Sequence, residues 1–435
     1  MQMNQTQDPD SVLAGQVVDG SQNQLTVDTG RIALVFGSFR GGGVARSMLR
    51  TAEGLISRGY QVDLVVGRAE GDLLGEVPAG AGVVELDRSS VIAARAYAMA
   101  AKTGETWTLL RHLVLSRKLS GKFRYLISLV RYFRRTRPNA IFAATAPFNL
   151  ISVWARNIAS IEARVVVTEH NQLAPETLGK HRWRYDCSPA LLRAGYLHAD
   201  TIAAVSDGVA RELVEFTGIA RHRITVLYNP VVGPHVLRGA QEPVDHPWFA
   251  KGEPPVLLGV GMLKPQKDFP TLIRAFALVR QERPVRLIIL GDVRNLEKDG
   301  TYRAELLALP KTLGVEADVA FPGFVENPFA YMGHAAAFVL SSAWEGLPTV
   351  LIEALGCGCP VVSTDCPSGP AEILDHGRFG PLVPVGDKEA LAAAIKSVLD
   401  SPLHGDILKN RAHLFSTEQA TAHQVQLLFG DARAC

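Results

Sequence analysis

Residues 341–365 read SSAWEGLPTVLIEALGCGCPVVSTD, with Glu345 and Glu353 on either side of a Gly346, Leu347, Pro348 break. The apolar run AAAFVLSS (335–342) that leads into it has the length and composition of a buried strand. After the break, TVLIEALG (349–356) carries apolar side chains at helical spacing. Pro348 falls near the first helical turn, where its missing N–H costs nothing, and Gly356 stands where a helix stops. Glu345 is therefore expected at a strand-to-helix mouth, with Glu353 further along the helix. A helix N-terminus presents unpaired N–H groups and a partial positive charge, which suits a phosphate. Carboxylates beside it accept hydrogen bonds from sugar hydroxyls, so the ligand this chemistry fits is both anionic and polyhydroxylated. Taken singly, each glutamate has a plainer use, Glu345 as a first-turn acid on the helix dipole and Glu353 as a solvated position. Glu353, however, falls within VLIEAL, where burial without a partner is costly.

Outward from this stretch, short β-rich runs alternate with helical patterns. RIALVFGS (31–38), QVDLVVG (61–67), AIFAATA (140–146), ARVVVTE (163–169), TIAAVS (201–206) and RITVLYN (223–229) read as strands. A second set comprises PVLLGVG (255–261), PVRLIILGD (284–292), DVAFPGF (318–324), AAAFVLSS, PVVSTD (360–365) and LVPVG (382–386). Runs that are apolar throughout and separated by helices imply parallel sheets covered on both faces. The expected fold is α/β: two Rossmann-like, doubly wound parallel-sheet domains facing each other across a cleft. Residues 1–30 are polar and read as a disordered tail. The first domain spans 31–232, a Pro- and Gly-rich linker without periodicity spans 233–253, and the second domain spans 254–415.

Composition agrees with two soluble cores: 435 residues, 47% apolar and 20% charged. A formal net charge of +2 argues against a general nucleic-acid binder. The five cysteines, Cys187, Cys357, Cys359, Cys366 and Cys435, are odd in number, and three crowd one apolar strand–helix region. Buried, reduced thiols of a cytoplasmic protein account for them. No histidine or fourth cysteine completes a structural zinc spacing, so no metal site is expected. The first thirty residues lack the apolar segment of a secretory signal, and no apolar run is long enough to span a bilayer.

Three further segments carry chemistry. GSFRGGGVARSML (37–49) places glycines between a strand and a helix, which lets backbone N–H groups approach an anion. It matches neither a Walker loop nor GxGxxG, and a tight turn is its simpler use. VVVTEHNQL (165–173) puts His170 at a strand end, where open α/β sheets bind ligands. GVGMLKPQKDFPTLIRAF (259–276) sets basic residues on a loop ahead of an amphipathic helix, again suited to phosphate.

The two glutamates separated by seven residues, the run GCGCPVV and these segments in this order resemble the retaining glycosyltransferases of family 4, enzymes of the GT-B fold. The similarity runs from about Ile32 to FSTEQATAHQVQLLF (415–429). It implies that residues 416–435 form a helix returning to the first domain. By the same resemblance, Gly42 and Gly43 lie beside the donor diphosphate, and Arg46 matches a usual arginine while Ala45 stands where an acid is common. His170 lines the reaction centre and contacts the donor sugar, with Glu169 in support. Lys267 holds the diphosphate; its usual arginine partner is replaced by Met262, and Lys264 stands nearby as an electrostatic substitute. Glu345 binds hydroxyls of the transferred sugar and Glu353 those of the ribose. The segment Gly346, Leu347, Pro348, Thr349 faces the phosphates, with N–H groups at Gly346, Leu347 and Thr349. FPGFVENP (321–328) resembles the segment whose backbone, at Phe324 and Val325, recognises the base. DCPSGPAEIL (365–374) also looks familial, beside the simpler reading of a turn before a helix capped by Ser368.

What the resemblance implies is metal-independent transfer of a sugar from a nucleotide diphosphate sugar, UDP-linked by expectation, to a glycan or lipid-linked acceptor of a cell-surface polysaccharide. Thr106 to Ile161 contains no Asp or Glu, and residues 111–137 combine Lys and Arg with Leu, Ile, Phe and Tyr. A helix of this kind can lie on an anionic membrane, which would put the enzyme at the inner face; a solvated face over an ordinary core serves equally. Rival functions on the same fold are a nucleotide-sugar epimerase, a phosphorylase-like enzyme and a non-catalytic nucleotide-sugar-binding protein. A nicotinamide-dependent dehydrogenase is disfavoured by the missing GxGxxG.

Overall fold

A computed structural model of the chain describes residues 30–40, 42–101, 121–171, 187–293 and 296–430. The tail expected at 1–30, apart from Gly30, lies outside them, as do residues 111–120 of the basic stretch and 431–435 of the C-terminal segment.

Seven strands form the first sheet: β1 (Arg31–Ser38), β2 (Gln61–Arg68), β3 (Ala81–Glu85), β4 (Ala140–Ala144), β5 (Arg164–Glu169), β6 (Thr201–Ala204) and β7 (Ile224–Val226). Their spatial order is β3-β2-β1-β4-β5-β6-β7, parallel throughout. Six more form the second sheet: β8 (Val256–Val260), β9 (Arg286–Leu290), β10 (Val319–Gly323), β11 (Ala337–Leu340), β12 (Val361–Thr364) and β13 (Leu382–Val383). They are again parallel, in the order β10-β9-β8-β11-β12-β13. Each sheet reverses its strand order once, between β1 and β4 and between β8 and β11, and such switch points open a crevice at the strands' carboxyl ends.

The unbroken apolar character of the strands follows from two-sided burial. On β1, Ile32, Leu34 and Phe36 enter one core while Ala33 and Val35 enter another. On β9, Leu287 and Ile289 face one side and Ile288 and Leu290 the other. Each of the larger side chains contributes about 1.5–3 kcal/mol when fully buried, and the polar residues that do enter the strands, such as Asp63 and Thr168, are hydrogen-bonded. β3 is the strand the pattern does not announce. It is a sheet edge with Val83 exposed, so it needs no continuous apolar run.

The segment 233–253 is more than a tether. It folds as a short helix, Pro234–Gly239, and a turn, Pro247–Phe249, both packed on the second domain. Asn327 Nδ2 donates to the Gly239 carbonyl at 3.0 Å, and the Arg286 guanidinium lies 4.7 Å over the Trp248 ring. Elements this short leave no periodicity to read. The chain crosses between domains twice at one place: the N–H groups of Val231 and Val232 both donate to the Phe415 carbonyl, and the Thr417 N–H donates to Val232. Beyond that point the helix Thr417–Phe429 lies on the first-domain helix Gly43–Ile56. Gln424 Nε2 donates to Thr51 Oγ1 at 3.0 Å, Phe429 stacks on Tyr60 at 5.1 Å, and any side chain at Gly54 would run into Thr421.

Within the described part of the basic stretch, the helix Leu126–Thr136 turns Leu126, Leu129, Val130, Tyr132 and Phe133 into the core. That apolar face is used inside the domain and is not available for insertion into a bilayer. Arg131, Arg134, Arg135 and Arg137 remain on the exposed side. Among the described residues, no helix is long and apolar enough to cross a membrane.

Candidate functional site

A cleft of about 480 Å³ lies between the two domains at the carboxyl ends of both sheets. His170, Lys267 and Glu345 all line it, as do Gly42, Gly43, Phe324, Val325, Gly346, Leu347, Pro348, Thr349 and Glu353. These residues named from the sequence thus share one crevice, while Glu169, expected to support His170, does not line it. They arrive from a loop after β1, the end of β5, the loop after β8, the turn after β10 and the β11-to-helix junction.

Glu345 sits between β11 and the helix Thr349–Gly356, and Lys267 on the loop after β8 reaches it: Nζ lies 2.6 Å from Oε1. The two side chains are only 11% and 10% exposed. Oε1 also accepts from Ser342 Oγ at 2.8 Å, and Oε2 accepts from Gln266 Nε2 at 3.2 Å. Gln266 Nε2 donates as well to the Trp344 carbonyl, while Ser341 Oγ holds the Lys267 carbonyl, so the two loops are laced together. Such a carboxylate keeps a fixed orientation, and its remaining lone pairs are open to hydroxyl donors. Ser368 does not cap the helix it precedes, which starts after Gly369. Its hydroxyl donates instead to the Glu345 carbonyl, tying the β12 loop to the site.

Glu353 is 5% exposed, and its partner comes from the other domain: Arg50 Nη2 lies 3.4 Å from Oε1. Arg50 Nη1 also donates to the Val231 carbonyl at the domain crossing, 3.0 Å away. This resolves why a glutamate tolerates the VLIEAL environment. Arg50 and Glu353 are 303 residues apart, which no local pattern reveals.

His170 is buried at the end of β5, and burial pulls its pKa down to about 4. Beside it, Glu169 is raised to about 8 by burial, against the opposing hydrogen bonds of Tyr196 and Asn149. Tyr196 and Asn149 are buried polar residues that the strand–helix pattern alone does not mark.

The domains touch at the cleft floor. Ser206 Oγ donates to the Gly346 carbonyl at 2.9 Å, and a Cβ at Gly346 would come within 2.6 Å of the His170 carbonyl. Glu372 accepts from the Asp207 N–H at 2.8 Å and from Tyr228 Oη at 2.8 Å. Met262 and Lys264 line the second-domain wall, and Arg46 the first, so the departure from the usual arginine falls inside the cleft with two cations near it. Phe324 stands 73% exposed at the rim. Among the described residues, no group of three or more His, Cys, Asp or Glu is arranged to hold a metal ion.

Two family models match this chain: "Glycosyltransferase Family 4" over residues 41–232 and "Glycosyl transferases group 1" over residues 241–415. The chain belongs to glycosyltransferase family 4. A relative of this glycosyltransferase in Campylobacter jejuni is the N-acetylgalactosamine-N,N'-diacetylbacillosaminyl-diphospho-undecaprenol 4-alpha-N-acetylgalactosaminyltransferase. It is 31% identical over 264 residues, 61% of this chain and 68% of that protein. Among solved structures, the apo lipopolysaccharide outer core galactosyltransferase WaaB aligns with a TM-score of 0.65 at 20% identity, covering 92% of this chain and 99% of that one. Anabaena Alr3699/HepE in complex with UDP-glucose aligns with a TM-score of 0.65 at 20% identity over 91% of this chain and 98% of that one. These likenesses establish the GT-B fold of the glycosyltransferase.

Proposed function

We propose that this glycosyltransferase moves a sugar from a UDP-sugar to a hydroxyl of a lipid-linked or polysaccharide acceptor, with retention of anomeric configuration and without a metal. The convergence of Glu345, Lys267, His170 and Glu353 from two domains on one cleft carries the proposal. The UDP-glucose complex of the Anabaena protein and the lipid-linked and lipopolysaccharide substrates in its relatives' names support it.

In this scheme Glu353 accepts from the ribose hydroxyls and Glu345 from hydroxyls of the transferred sugar. Lys267, already 2.6 Å from Glu345, lies between that carboxylate and the diphosphate. The acceptor hydroxyl attacks C1 on the face from which UDP leaves. The C1–O bond to the acceptor forms, the C1–O bond to phosphate breaks, and the acceptor proton passes to the departing phosphate oxygen. Charge growing on that oxygen is met by Lys267 and by the N–H groups of Gly346, Leu347 and Thr349, with Arg46 and Lys264 near. The domain contacts at Gly346 and Glu372 limit water at the reaction centre. Buried thiols at Cys357, Cys359 and Cys366, outside any disulfide, support a reducing, cytoplasmic setting. The exposed arginines of Leu126–Thr136 support a loose contact with an anionic membrane face.

A thermal-shift panel of nucleotide sugars identifies the donor, since a ligand at about 100 times its Kd adds about 2.7 kcal/mol. With donor, acceptor and EDTA present, UDP release and an NMR-defined α or β product then test the reaction. Binding without release would replace transfer by a sensing role, and release of an epimerised sugar would replace it by epimerisation.

A further inference from the structure

Thr168 lies on β5, which ends at Glu169 directly before His170, and is buried. Its hydroxyl makes two contacts: Oγ1 lies 2.8 Å from the Ala143 carbonyl on β4 and 2.9 Å from His170 Nε2. A hydroxyl carries one hydrogen, and a carbonyl can only accept. The hydrogen of Thr168 therefore points at Ala143, and its oxygen is left to accept from the imidazole. Nε2 must then carry the hydrogen, and in the neutral ring Nδ1 holds a bare lone pair. Burial keeps the ring neutral across physiological pH. Among the described residues, Nδ1 is buried and has no hydrogen-bond partner, although His170 lines the cleft. A buried acceptor without a donor is costly, and at the wall of a cleft a hydroxyl or water entering it can supply the missing hydrogen.

We propose that Thr168 is a positioning residue that fixes His170 as the Nε2–H tautomer, so that Nδ1 accepts a hydrogen bond from a hydroxyl of the transferred sugar. The inference rests on the donor-binding reading of the cleft. It assigns the imidazole a fixed direction of hydrogen bonding: His170 receives a hydroxyl and does not donate to one. The β4 carbonyl of Ala143 is the anchor that makes this one-way, because it absorbs the only hydrogen Thr168 has.

The test uses the full chain labelled with 15N-histidine, with His170→Gln to assign the resonance. In the wild type, His170 should show the Nε2–H tautomer at neutral pH. Thr168→Ser, which keeps the hydroxyl, should preserve that signature and the activity. Thr168→Val, which keeps the shape of the side chain, should lose the Nε2–H tautomer signature and lower kcat/KM for UDP release by about tenfold, the worth of one oriented hydrogen bond. Circular dichroism and melting of the Val variant guard against simple unfolding. A wild-type Nδ1–H tautomer, or a Thr168→Val protein that retains the wild-type tautomer, overturns the assignment. A changed tautomer with unchanged kcat/KM overturns the role in transfer. The tautomer measurement needs no substrate, so failure of the wild type to release UDP refutes the transfer reading separately.

Discussion

The ion pair between Lys267 and Glu345 offers a quantitative check on how the cleft is held. Lys267→Met removes the ammonium while keeping most of the stem, and leaves the Glu345 carboxylate 10% exposed without its cation. Breaking one side of a well-buried pair costs about 3–5 kcal/mol. Here Ser342 at 2.8 Å and Gln266 at 3.2 Å still donate to the carboxylate, and the cleft admits water, so a loss of about 2–3 kcal/mol is expected. At about 2–4 °C per kcal/mol for a domain of this size, the second domain should melt about 4–12 °C lower. Adding Glu345→Gln removes the stranded charge, and the double variant should recover about 1–2 kcal/mol relative to the sum of the single losses. Urea unfolding of the four proteins measures the cycle. Single losses that add to within about 0.5 kcal/mol would show that the pair is not coupled and that Lys267 does not stabilise Glu345 in the unliganded cleft.

Three other outcomes follow from the same geometry. Glu353→Ala should weaken UDP binding by roughly thirtyfold, about 2 kcal/mol for a charged acceptor of hydroxyls, and unchanged calorimetric affinity would remove Glu353 from the ribose site. Gly346→Ala forces a Cβ to within 2.6 Å of the His170 carbonyl on the opposite domain, so kcat/KM should fall by about 10–100-fold while the fold is retained; full activity by UDP release would show that this contact is not used in transfer. Glu169 titrates near 8 in the folded chain, far above its unfolded value, so between those values the folded state holds a proton that the unfolded state lacks. Stability should therefore fall as pH rises from about 6.5 to 8, by up to about 1.4 kcal/mol per unit. His170, whose pKa is depressed to about 4, adds an opposing slope that is fullest below about 6.5 and fades above it. Urea midpoints of Glu169→Gln should lack this slope, and an identical slope in both proteins would assign it elsewhere.

Much of this molecule can be read from local pattern because two-sided burial imposes one. Most strand positions of both sheets are apolar, and Pro348 and Gly356 bound the helix that carries Glu353. β3 escapes notice because an exposed edge places no such demand. The helix Pro234–Gly239 escapes because six residues are too few to show a period. The basic helix Leu126–Thr136 reads equally as a membrane face or a core face, since the same amphipathic spacing serves either medium. Packing alone shows its apolar side turned inward.

The site divides along the same line. Residue types and short-range spacing were enough to nominate the carboxylates, the lysine, the glycine loop and the histidine, because phosphate and hydroxyl chemistry draws on few side chains and on strand ends. Their partners were not: most come from distant segments, Arg50 for Glu353, Gln266 for Glu345, Ala143 for Thr168, Tyr196 and Asn149 for Glu169, and the near neighbours Ser342 and Thr168 meet Glu345 and His170 only through the local path of the folded chain. Sequence alone therefore determined the two-domain α/β plan and which groups could meet an activated sugar. Tertiary structure decided which of those groups are charged, which way their hydrogen bonds run and what holds them. Those properties depend on desolvation and on contacts between segments brought together only when each domain folds and the two then meet.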